Sequence, residues 1–160
     1  MRVIFLDIDG VLNSAAYDRG KGELDGNIDS TRLPLLKRIA AEGDARIVLS
    51  STWRYYWNSD PEKRGKVGEE LDRIFREAEL PIFDKTPEIE GRINTVRPDE
   101  IKAWLQAHPD VESFVIIDDI IFGWGDLQDR VVHTSYYMGH GLGFSHVFEA
   151  LRILATPLQK

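Results

Sequence analysis

Three continuous apolar runs in this chain each end on small polar side chains. Val3-Ile4-Phe5-Leu6 runs into Asp7 and Asp9, Ile47-Val48-Leu49 into Ser50 and Ser51, and Phe114-Val115-Ile116-Ile117 into Asp118 and Asp119. A run without polar alternation is apolar on both faces, as a strand must be when helices cover both sides of a parallel sheet. Helical spacing fills the intervals. Ser30 can cap a helix over Leu33, Leu36, Ile39 and Ala40 that ends at Gly43, with Pro34 in its first turn. Leu71, Ile74, Phe75 and Ala78 space a second helix within residues 68–80. Pro98 opens a third, carrying Ile101, Trp104 and Leu105 and stopped by Pro109, and residues 144–154 form a fourth. Leu80-Pro81-Ile82-Phe83 reads as a short strand near an edge, because proline cannot donate to a ladder. Val131-Val132 suggests another, while residues 13–28 and 84–96 read as loops.

Strands alternating with helices predict an α/β sandwich around a mostly parallel sheet. The 160 residues show no internal repeat or linker and are expected to form a single domain over residues 1–160. The absence of cysteine excludes a disulfide framework, thiolate-ligated zinc, iron–sulfur clusters and a cysteine nucleophile. A net charge of −7 repels polyanions in bulk, so a nucleic-acid substrate requires a local basic patch. No segment resembles a signal peptide, and no apolar run approaches the ~18–20 residues of a membrane span. A cytoplasmic protein with no membrane partner is the expectation.

Ligands of open α/β sheets bind outside the carboxyl ends of the strands. The acids and hydroxyls at the three run ends should therefore converge. One such end is ordinary loop chemistry, but four carboxylates and two hydroxyls at one edge are not. Clustered carboxylates repel and raise one another's pKa unless a cation sits among them. An all-oxygen donor set points to a hard ion, Mg²⁺, and Mg²⁺ points to a phosphate substrate. The hydroxyls of Ser50 and Ser51 and the N–H groups after them can hold phosphoryl oxygens, and an Arg or Lys would complete the neutralisation.

FLDIDGVLN resembles the first motif of the haloacid dehalogenase (HAD) superfamily phosphatases, Asp-x-Asp-Gly-(Val/Thr). IVLSST resembles the second motif and VIIDD the fourth, in the family's order and strand context. The resemblance implies a three-layer α/β/α sandwich with a Rossmann-like sheet. It makes Asp7 the nucleophile that forms an aspartyl phosphate and Asp9 the acid that protonates the leaving oxygen and then serves as base. It also makes Asp7, the Asp9 backbone carbonyl and Asp119 direct holders of Mg²⁺, and Asp118 either a further ligand or a residue supporting the ligands, with Gly10 allowing the tight exit from the strand. Arg97, ahead of Pro98, resembles the family's Lys-Pro arrangement with Arg in place of Lys; Arg92 and Lys85 are rivals for that role. Ser50 and Ser51 are alternatives for the phosphate-binding residue.

The intervals after the first and second motifs are too short for a full cap domain, so minimal or no cap is expected. An open site favours phosphates on large substrates, such as polynucleotide ends or proteins. SSTWR, RPDEIKAWL and VIIDD resemble a small family of predicted phosphatase domains linked to RNA repair and, more loosely, the phosphatase half of polynucleotide kinase-phosphatases. That likeness implies RNA or DNA ends as partners, with no obligate protein partner. Arg54 would contact the phosphate or a neighbouring nucleotide's phosphate. Trp53, Tyr55, Tyr56 and Trp57 would stack bases or simply pack. A nucleotidase or sugar-phosphate phosphatase is an alternative within the class, and a phosphate-binding or receiver-like signalling module is the non-enzymatic one. Receivers, however, carry the acidic pair on the first strand and the phosphorylated Asp on a later one, the reverse of the order here.

Overall fold

The structure, a computed structural model, describes residues 1–17, 28–89 and 97–158. Strands β1 (Arg2–Leu6), β2 (Ala45–Leu49), β3 (Ile82–Lys85), β4 (Ser113–Asp118) and β5 (Val131–His133) form one sheet in the order β3-β2-β1-β4-β5. Every neighbouring pair is parallel. β1 is the central strand, so Val3, Ile4, Phe5 and Leu6 are all fully buried although they point to alternate faces. Ile4 and Leu6 face a layer built by α1 (Leu33–Gly43), α2 (Lys66–Glu77) and α4 (Phe144–Leu154). Val3 and Phe5 face α3 (Arg97–Ala107) and the 3₁₀ segment Gly125–Arg130. Phe5 anchors this second layer edge-on against Trp104, with ring centroids 5.3 Å apart. The result is the α/β sandwich expected from the run-and-helix alternation, in the three-layer form that the resemblance implies.

Local boundaries differ from the sequence reading where long-range packing decides them. Ser30 does not cap α1. The helix starts at Leu33 without a side-chain cap, and Asp29 organises the preceding turn by accepting from the Thr31 N–H and hydroxyl and from Arg32. Gly43 is the last helical residue, while the left-handed turn falls on Asp44 (φ 48°). The smallness of Gly43 serves packing instead, since a Cβ there would lie 2.6 Å from a Leu154 methyl on α4. β3 begins at Ile82, one residue past Pro81, and continues through Asp84 and Lys85, which by sequence alone read as loop; it is an edge strand as expected. Between β2 and β3 the chain adds Leu71 and Phe75 of α2 to the main core, so among the described residues this interval builds the sandwich rather than a separate cap.

Candidate active site

Leu6 pairs with both Leu49 and Ile117, so Asp7, Ser50 and Asp118 leave three adjacent strands at one level. The ladder continues into them: the Asp7 N–H donates to the Ile117 carbonyl (3.0 Å) and the Ser50 N–H to the Leu6 carbonyl (2.9 Å). The chain switches from β3 on one side of β1 to β4 on the other, which places the crevice beside the carboxyl end of β1.

Arg97, the first residue of α3, reaches into this crevice. Its Nη1 lies 2.8 Å from Asp7 Oδ2 and also donates to Asp118 Oδ2. All three side chains are buried. The second oxygen of each acid takes a backbone donor, Ile8 N–H for Asp7 (2.9 Å) and Ile120 N–H for Asp118 (2.8 Å). Burial works against the Arg97 charge, but Asp7 and Asp118 outweigh it and raise its pKa. Burial, opposed by Arg97 and reinforced by the Asp7 charge, pushes the Asp118 carboxyl up to about 6. Burial and then the Asp7 charge also raise Asp119.

Asp7, Asp118 and Asp119 each offer one oxygen, and the three atoms lie within 4.8 Å of one another. Three carboxylates against one guanidinium leave negative charge in excess, and a hard, oxygen-seeking cation fits that donor set. Gly10 makes the arrangement possible. Its φ of +77° suits glycine, and a Cβ there would lie 2.3 Å from the Asp119 carboxylate. The Gly10 N–H is already committed to Asn13 Oδ1 (2.8 Å), so Gly10 shapes the site rather than offering that N–H to a phosphate.

The two serines divide their work. Ser51 Oγ accepts from the Trp53 N–H (3.3 Å) and caps the 3₁₀ turn Thr52–Tyr55. Ser50 is level with Asp7, and its fully buried hydroxyl has no hydrogen-bond partner among the described residues. A buried, unmatched hydroxyl costs about 1–3 kcal/mol, which a ligand oxygen could offset.

The Asp9 carboxylate is not part of the three-acid group. It is exposed, with Oδ1 accepting from Asn13 Nδ2 (2.7 Å) and Oδ2 from the Trp53 indole N–H (3.0 Å). Arg54 departs from expectation. It is buried, with Nη2 2.6 Å from Glu100 of α3 and Nη1 donating to the Ser51 carbonyl, so two of its nitrogens are committed within the protein. Lys85 also drops out as the third-motif cation, because its Nζ donates to the Arg54 and Trp57 carbonyls. Arg92 lies outside the described residues. Trp57 is buried and bonded to Asp72, whereas Tyr55 and Tyr56 are exposed. Asp126 pairs with Lys102 on α3.

A family model described as the HAD domain in Swiss Army Knife RNA repair proteins matches residues 3–141. The chain belongs to this family. No curated relative matches it. The matched span of this HAD domain runs from β1 past β5 and contains every site residue named above. Among the described residues no helix is long and apolar enough to cross a membrane. Three parts of the HAD domain's site carried no role in the sequence reading: Asn13, Glu100 and the indole edge of Trp53. Asn13 and Trp53 stand inside the motif stretches FLDIDGVLN and SSTWR, but only folding shows that both aim at Asp9.

Proposed function

We propose that this HAD domain is a Mg²⁺-dependent phosphomonoester hydrolase that works through an aspartyl phosphate, on the phosphorylated ends of RNA. The observation that carries the reading is Arg97, one guanidinium nitrogen shared by Asp7 and Asp118 in a buried crevice. That contact orients the Asp7 side chain and leaves a positive charge where a phosphoryl group would arrive.

A carboxylate oxygen of Asp7 attacks phosphorus as the bond to the leaving oxygen breaks, and that oxygen takes a proton from Asp9. Asp9, now a carboxylate, takes a proton from water. The water oxygen attacks the phosphorus of the aspartyl phosphate, releasing inorganic phosphate and restoring Asp7. Through these steps the Ser50 hydroxyl donates to a phosphoryl oxygen and Arg97 offsets its charge. Mg²⁺, held by Asp7, Asp118, Asp119 and the Asp9 backbone carbonyl, would supply further charge neutralisation.

The RNA-end reading rests on the family description, which names RNA repair proteins. It draws support from an exposed Asp9 and from Tyr55 and Tyr56, 53% and 55% exposed in the loop after β2. With a net charge of −7, contact is confined to the terminal nucleotides. Hydrolysis of an aryl phosphate should require Mg²⁺ and stop in excess chelator. A terminal phosphate on an oligonucleotide should be turned over faster than one on a mononucleotide, by about 5–150-fold per stacked base. Tyr55→Ala with Tyr56→Ala should remove most of that preference. Activity undiminished by chelator contradicts the Mg²⁺ reading; equal use of both nucleotides, or preference for phosphosugars, contradicts the RNA reading.

A further inference from the structure

We infer that Trp53 is a positioning residue for Asp9, its indole N–H holding the carboxylate in the orientation from which it exchanges protons with the leaving oxygen and with water. The role rests on the phosphatase reading above. An exposed Asp in a loop has several staggered rotamers open to it. A single donor restrains one oxygen, but two donors from separate segments fix the carboxylate plane. Asn13 Nδ2 holds Oδ1 at 2.7 Å, and Asn13 is itself fixed by the Gly10 N–H on its Oδ1 (2.8 Å). Trp53, 44 residues further along the chain, holds Oδ2 at 3.0 Å.

The indole is equally well supported. Its backbone N–H is capped by Ser51 Oγ, its carbonyl accepts from the Tyr56 N–H (3.1 Å), and its ring meets the Tyr56 ring edge-on. Below this turn, Arg54 ties to Glu100, and Lys85 ties to the carbonyls of Arg54 and Trp57. Two cations that the sequence offers as phosphate ligands thus clamp the turn that carries Trp53. Two other indoles also donate to aspartates, Trp57 to Asp72 and Trp104 to Asp84, but both donors are buried and join elements of the sandwich. Only in the Trp53 pair, among these three, is the acid exposed at the candidate site. An indole N–H is a neutral donor and never an acceptor. It can therefore aim a carboxylate without placing a full charge beside it, as Lys or Arg would.

Two measurements test this. In a ¹⁵N-correlated NMR spectrum, Asp9→Ala should move the Trp53 indole cross-peak, assigned by its loss in Trp53→Phe, and leave those of Trp57 and Trp104 in place. In rapid-quench kinetics, Trp53→Phe should form the phosphoenzyme from a dinitrophenyl phosphate within about threefold of the wild-type rate, since that leaving group needs no acid. From an alkyl phosphate it should be about 10–100-fold slower. A fall of equal size on both esters, or on neither, overturns the positioning role. An indole cross-peak unmoved by Asp9→Ala overturns the contact itself. A wild-type protein that forms no phosphoenzyme from any ester overturns the phosphatase reading, and this role with it.

Discussion

Asp118→Asn should make the metal-free protein more stable and inactive at once. Asp118 is fully buried, and its carboxyl is pushed up to about 6 from an ordinary value of 3.8. Between those two values the folded state binds the proton and the unfolded state has released it, so stability falls as pH rises through this window. Above pH 6 the full penalty is present: the gap between 3.8 and about 6 corresponds to about 3 kcal/mol. Asparagine removes the charge but has one acceptor oxygen where Asp118 uses two, toward Arg97 and toward the Ile120 N–H. That loss takes back about 1 kcal/mol. The net gain is about 2 kcal/mol at pH 8, or about 4–8 °C in Tm for a chain of this size, and it disappears near pH 4, where the penalty of under about 1 kcal/mol is cancelled by the lost acceptor. Thermal melts of both proteins in chelator at pH 8 and pH 4 measure it. Saturating Mg²⁺ should narrow the pH 8 gap by stabilising the wild type preferentially. A variant no more stable than wild type at pH 8, or a gain equally large at pH 4, refutes the reasoning.

Other substitutions separate scaffold from chemistry. Arg54→Met takes the cation from the buried Glu100 pair and should cost about 3–5 kcal/mol in a denaturant titration, with much of the loss recovered when Glu100→Leu is added. If the single variant instead keeps wild-type stability and loses only oligonucleotide turnover, the inward placement of Arg54 is wrong. Gly10→Ala forces a Cβ into the left-handed region and against Asp119. It should cost about 1–2 kcal/mol from backbone strain alone and abolish Mg²⁺-dependent stabilisation in thermal melts.

The middle of the sheet was legible because β1, β2 and β4 carry unbroken apolar runs, and a run buried on both faces has few other folds open to it. The ends of those runs mark the crevice, so Asp7, Ser50, Asp118 and Asp119 could be read as neighbours before any coordinates. Arg97 was legible for a local reason: Pro98 fixes a helix start, and that helix leads into β4. Contacts between distant segments were not. Arg54 follows the serines as a phosphate ligand would, and nothing local reveals that Glu100, on a helix 46 residues later, takes its guanidinium. Trp53 reads as a stacking surface until Asp9 is found at its nitrogen. The choice between Ser50 and Ser51 turned on register and on a capping bond, neither of which leaves a trace in adjacent identical residues.

The central claim, that Asp7 is the nucleophile of a covalent phosphoryl transfer, is tested most directly by trapping the intermediate. Asp9→Asn should accept the phosphoryl group from a dinitrophenyl phosphate in Mg²⁺ and then stall for want of a base. Mass spectrometry of the acid-quenched, digested protein should find one phosphoryl group on the peptide containing Asp7, and none when Asp7→Asn is added. A phosphorylated peptide elsewhere in the chain, or one that persists in the Asp7→Asn double variant, contradicts the account.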